Sequence, residues 1–120
     1  PLLLIRAMRE DRAAGELTVA RRAVAEAERK LEERKNELAE YERTKEERRE
    51  RIYDAIIGRP VSRDRIDIAN EGVARIDEEG VLKADNVTRA EGELKDREAA
   101  AEAARANFAV AMKNRMKITI

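Results

Sequence analysis

Apolar residues recur along this chain at alternating steps of three and four, and the register holds through two long runs. From Leu17 the steps land on Ala20, Val24, Ala27, Leu31, Arg34, Leu38, Tyr41, Lys45, Arg48, Ile52 and Ala55. From Ile66 they land on Ala69, Val73, Ile76, Gly80, Lys83, Val87, Ala90, Leu94, Arg97, Ala101, Ala104, Phe108, Ala111, Arg115 and Ile118. This spacing averages about 3.5 residues, close to one helical turn, so each run forms a helix with a single apolar stripe along it. Where Arg34, Lys45 and Arg48 interrupt the first stripe, their aliphatic stems can lie along it while the charge stays in water. The stripe is narrow and rich in alanine. It therefore buries against one close partner helix rather than inside a bundle.

Composition limits the alternatives. The chain of 120 residues is 43% charged and only 2% aromatic, so a compact core built on large rings is out of reach, with Tyr41, Tyr53 and Phe108 as its only candidates. High charge and low hydropathy also suit a disordered chain, but disorder has no use for a sustained heptad register. Acidic and basic residues balance at 26 each, which argues against a general nucleic-acid binder. The chain has no cysteine and no histidine, removing disulfides, thiolate metal sites, the commonest zinc ligand and the usual general base. The opening "PLLLI" is far shorter than a bilayer span and lacks a signal-peptide layout, so no insertion into a membrane is expected.

Glycine, proline and serine cluster only in "IYDAIIGRPVSRDRI", residues 52–66. Gly58 can adopt the left-handed conformation that ends a helix, Pro60 cannot continue one, and Ser62 is a good N-cap with Asp64 near the positive helix end. A short connection between two striped helices makes a turn. The expected fold is all-α, a single antiparallel two-helix coiled-coil hairpin over residues 1–120, with helix 1 at about 3–57, the turn at about 58–62 and helix 2 at about 63–117. Each helix rises 1.5 Å per residue, so the expected rod is on the order of 75 Å long. Facing residue numbers should sum to roughly the chain length, setting Arg43 and Lys45 opposite Asp77, Glu78 and Glu79. Gly72, Gly80 and Gly92 each cost about 1 kcal/mol relative to alanine inside a helix. A close helix contact at Gly80 would explain one of them. The others are tolerated defects, or they make the second arm bendable.

No catalytic constellation, cofactor site or metal site is expected. The five glycines are too widely spaced for a phosphate loop. Acidic neighbours such as Glu32–Glu33 and Asp77–Glu78–Glu79 read as solvated helix faces, stabilised by pairs such as Glu26–Lys30, Glu47–Arg51 and Glu91–Lys95. "RTKEERRER", residues 43–51, has acids that nearly cancel its bases and no interleaved aromatics, unlike a nucleic-acid patch. The two ends of the hairpin are more informative. At the open end Arg6, Arg9, Arg12, Lys113, Arg115 and Lys117 converge beside Leu3, Leu4, Met8, Met112 and Met116. Either this tip binds a partner, or Leu3, Ile5, Met8, Met112 and Ile118 simply continue the seam. At the turn end Tyr53, Ile56, Ile57, Val61 and Ile68 are more apolar than a two-helix seam requires, which suits either a cap or a docking surface.

Three segments occur in a telling order: an apolar–basic "LLLIRAMREDRA", a long charged helix leading to "RIYDAIIGRPVS", and a second helix ending in "AEAARANFAVAMKNRMKI". The chain resembles the YscO/HrpO family of bacterial type III secretion proteins, relatives of the flagellar FliJ protein. Tyr53 ahead of Gly58 and Val61, and the basic C-terminal segment, carry most of the likeness. The resemblance implies a non-enzymatic protein similar to the central stalk of rotary ATPases, placed at the cytoplasmic face of the secretion apparatus, while the two seams joined by one turn predict a monomer when the chain is alone. It would sit in the pore of the secretion ATPase hexamer, promote the assembly or turnover of that ring, and link it to the export gate protein and export chaperones. The implied ring-facing residues are Arg6, Arg9, Arg12, Lys113, Arg115 and Lys117, with no nucleic acid among the partners. The alternative is a structural coiled coil or prefoldin-like holdase with no ATPase partner.

Overall fold

The computed structural model describes residues 1–119, with side chains described through Lys117. It contains two helices, α1 over Leu2–Asp54 and α2 over Arg63–Thr119, of 53 and 57 residues. The fold is the expected all-α helical hairpin. It divides into two compact units. One combines Pro1–Leu31 with the segment beginning at Ala90, and the other spans Glu32–Arg89.

The Glu32–Arg89 unit contains the turn. α1 ends at Asp54, and the carbonyl of Tyr53 then accepts the backbone N–H groups of Ile56 and Ile57 at 3.0 and 2.9 Å. Gly58 reverses the chain with φ 72°, the left-handed value that a Cβ would disfavour. α2 opens with Ser62 as its cap. The Arg65 N–H donates to Ser62 Oγ at 3.3 Å, and Asp64 sits in the first turn. Each local signal in the sequence thus does the job its chemistry suits.

In this unit the helices meet along Tyr41, Ala69, Val73, Ile76 and Val87, all buried, with Leu38, Lys45, Arg48, Ile52, Gly80 and Lys83 half-buried. Tyr41 decides how closely they approach. Its ring lies over Gly80, where an added Cβ would stand 2.5 Å from the hydroxyl and 2.7 Å from Cε2 and Cζ. The hydroxyl donates to the Ile76 carbonyl at 2.7 Å. The close contact expected at Gly80 is therefore present, and its cause is a tyrosine. Gly72 faces Ile52 more loosely, with Cδ1 3.2 Å from a built Cβ.

Four expectations for this unit need correction. α1 stops at Asp54 rather than near residue 57, because the Ile56 and Ile57 N–H groups both turn to the Tyr53 carbonyl and the turn begins there. Ile66 is 41% exposed and is not part of the seam. With Ile52 against Gly72, the antiparallel register puts Ile66 opposite Gly58, beyond the end of α1, so no helix covers it. Arg34 does not lay its stem along the seam. It turns outward to Glu37 at 3.1 Å. The cross-helix ion pairs are made not by Arg43 and Lys45 but by Arg48 with Glu79 at 2.8 Å and Arg49 with Asp77 at 3.6 Å. Arg43 lies two positions past the seam residue Tyr41, on the outer face, and bonds Glu40 at 2.6 Å, while Lys45 turns back to Glu42 at 2.8 Å.

The other unit is built mainly from alanine. Ala13, Leu17, Ala27 and Ala90 are buried, and Ala20, Val24, Leu31, Leu94, Ala101, Ala104, Phe108 and Ala111 are half-buried. Arg6 and Arg9 border residues 107–114, while Arg12 to Ala23 border Arg97 and Ala100, as antiparallel neighbours must. Gly92 has nothing within 4 Å of a built Cβ, so no packing contact accounts for it. The expected seam position Ile118 lies outside the residues whose side chains are described. No described side chain in either unit falls below 2% exposure. In a two-helix pair each seam residue is covered from one side only.

Candidate functional site

The 3–4 stepping from Leu17 continues backward through Ala13, Glu10 and Arg6, and this brings α1 and α2 together at their open end. Arg6, half-buried, donates from Nη1 to the Asn114 carbonyl at 2.9 Å. Arg115 donates from Nη1 to Glu10 Oε2 at 2.7 Å, and the Glu10 side chain is only 16% exposed. Glu10 is the residue that reading the sequence for cations overlooked. The stepping rule, run four residues back from Leu17 and then three more, would have found it. Its carboxylate neutralises one of six expected partner-binding cations and fixes that cation across the helix pair.

The remaining cations are placed differently. Arg9 shares a shallow groove with Arg6, Asn107, Val110 and Asn114. Lys113 and Lys117 are exposed. Arg12 belongs to a separate groove with Gly15, Glu16, Val19 and Arg97, and pairs with Glu16 at 3.5 Å. Around these charges the apolar side chains stay in water. Leu3 and Ile5 are each 46% exposed, Met8 62% and Met112 39%. They do not continue the seam, so of the two readings open for these four residues, seam extension fails.

At the turn end Tyr53, Ile56 and Val61 are half-buried, whereas Ile57 and Ile68 are exposed. Ile52, Ile56, Ile68, Ala69 and Gly72 line an apolar groove with Arg65 and Arg75 at its edge. Part of the excess apolar surface noted in the sequence therefore caps the turn, and Ile57 and Ile68 remain outside the cap.

Three exposed carboxylates are tuned by arginines of their own helix. Glu26, Glu40 and Glu102 are held below the usual carboxylate range, first by the hydrogen bonds they accept from Arg29, Arg43 and Arg105 three residues on. Glu26 thus takes Arg29 as its partner, while Glu47 takes Arg51 as expected, at 2.6 Å. Among the described residues no group of three or more acids, histidines or cysteines is placed to hold a metal ion. No described helix is long and apolar enough to cross a membrane.

A family model described as Type III secretion protein YscO matches residues 1–120. No curated protein matches the chain, and no solved structure matches it.

Proposed function

The chain belongs to the YscO family of type III secretion proteins, and from that premise we propose that it is a non-enzymatic central stalk of the secretion ATPase. In this reading it works at the cytoplasmic face of the apparatus. It promotes assembly or activity of the ATPase hexamer and couples that ring to the export gate protein and export chaperones. The observation that carries the reading is the open end, where Arg6, Arg9, Lys113 and Lys117 surround exposed leucine and methionine side chains. A stalk that meets several ring subunits in turn gains from distributed charge rather than from one deep pocket. Contacts of that kind weaken with salt, over a Debye length of about 10 Å at 0.1 M. The turn end, with Tyr53, Ile56, Ile57 and Val61, offers a surface for the gate or a chaperone.

The test is phosphate release by the cognate secretion ATPase. The unmodified chain should stimulate it, more at low salt than at moderate salt. Changing Arg9, Arg12 and Lys113 to Glu should abolish the stimulation and leave helical content intact, since among the described residues none of the three pairs across the helices. Changing Arg43, Arg51 and Arg89 to Glu should have little effect, because these side chains are exposed and Arg43 and Arg51 pair only within α1. Stimulation lost only in the second set would move the contact off the open end. No stimulation by the unmodified chain would favour a structural coiled coil or holdase.

A further inference from the structure

α1 begins with four apolar residues in succession. Leu2, Leu3, Leu4 and Ile5 are 57%, 46%, 60% and 46% exposed. Successive residues on an α-helix are turned by roughly 100°, so these four point around its whole circumference. Met8 at 62% and Met116 at 59% extend the exposed apolar surface along both helices. A groove on a folded protein covers one face of a helix and would leave the opposite side chains in water. A fluid apolar layer covers all of them at once.

The charges beside this surface match one kind of layer. Between residues 1–12 and 112–117 the sequence holds six cations against two carboxylates, Glu10 and Asp11. Glu10 is already taken by Arg115, and Arg12 pairs with Glu16 just beyond this stretch, which leaves Arg6, Arg9, Lys113 and Lys117 against Asp11. Lysine and arginine can bury their stems among acyl chains and raise their charged heads to phosphate level. An apolar surface ringed by cations is the chemistry of proteins that rest on anionic lipid.

We propose that this end of the chain docks on an anionic membrane surface, with Leu2 to Ile5, Met8 and Met116 seated at the boundary between headgroups and acyl chains. The contact is peripheral, because no described helix is long and apolar enough to cross a bilayer. It is also local, because the chain as a whole carries no net charge. The inference draws on the same open end as the stalk reading and assigns it a second contact, and its test contains no ATPase, so either reading can fail without the other.

The experiment is flotation of the full chain with vesicles of phosphatidylcholine alone and of equal parts phosphatidylcholine and phosphatidylglycerol. The chain should float with the anionic vesicles at low salt. Binding to the neutral vesicles, or to the anionic ones at high salt, should be at least about tenfold weaker. Arg9 and Lys113 hold no hydrogen bond or ion pair among the described residues, so an Arg9→Glu, Lys113→Glu variant should stay helical. That variant should lose at least about tenfold in affinity and most of the salt dependence. A Leu3→Ser, Ile5→Ser variant should weaken binding at every salt concentration, and Arg43→Glu with Arg89→Glu should leave it unchanged. A helical chain that stays unbound on anionic vesicles at low salt would overturn the proposal, as would binding that ignores both end variants. Retention on immobilised polyglutamate without vesicle binding would also overturn it, and would assign this end to an acidic protein.

Discussion

Gly80→Ala is expected to destabilise the hairpin by about 1–3 kcal/mol, although alanine is the better helix former by about 1 kcal/mol. The new methyl group would stand 2.7 Å from two carbons of the Tyr41 ring and 2.5 Å from its hydroxyl. The ring is rigid, 6% exposed, and held by its bond to the Ile76 carbonyl. It can yield only by moving as a whole. Moving it gives up that hydrogen bond, worth about 1 kcal/mol, along with the packing around it. The same change at Gly92, where nothing lies within 4 Å of the added carbon, should instead stabilise by up to about 1 kcal/mol. Thermal or urea unfolding of the two variants should therefore move in opposite directions. Combining Gly80→Ala with Tyr41→Leu should recover part of the loss, because the flexible leucine can move aside. If Gly80→Ala raises the midpoint as Gly92→Ala does, the tyrosine does not occupy the place described.

Val73→Asp should cost several kcal/mol and Ile66→Asp almost nothing. Both residues fall on the same 3–4 register, so the pattern alone treats them alike. Val73 is 6% exposed and Ile66 is 41% exposed. An aspartate in place of Val73 would be desolvated with no partner, at a cost of several kcal/mol. Total stability of folded domains is only about 5–15 kcal/mol, so this one change should remove much of the cooperative transition. An aspartate in place of Ile66 would stay in water in the first turn of α2, where the helix dipole favours a negative charge. Its effect should stay within about 0.5 kcal/mol. Circular dichroism against temperature separates the outcomes. Equal losses at the two positions would show that the seam runs on through Ile66 and that α1 covers it after all.

Ile66 shows where periodicity stops being informative. A heptad pattern reports which side of a helix is apolar. It does not report whether a partner is there to cover that side. At Ile66 the partner helix has already ended. At the open end Leu3 and Met8 are apolar and uncovered for another reason, since the positions toward α2 are taken by Arg6 and Glu10. The candidate site was thus legible as a cluster of cations and apolar residues, because antiparallel connectivity alone brings residues 6–12 near residues 113–117. The pairing of Arg115 with Glu10 was not legible. It depends on how far a long side chain reaches across the pair, and residue spacing along one helix does not contain that distance.

The sequence by itself determined the elements and their order. Helix breakers at Gly58 and Pro60 and the cap at Ser62 act within a few residues of themselves, and the 3–4 stripe repeats locally, so no distant contact is needed to read them. The antiparallel register was also legible to first order, because a short turn leaves little freedom in how two helices run back along each other. Only the tertiary structure decided which member of each local set faces across. Arg43, Arg48 and Arg49 are the same residue type within two turns of helix, yet only the last two reach α2. Tyr41 and Gly80 stand 39 positions apart in the sequence. Each looks ordinary alone, a large residue on a seam and a costly glycine in a helix. Their fit is a property of two surfaces at ångström distance, where a single methyl group reverses the sign of the energy.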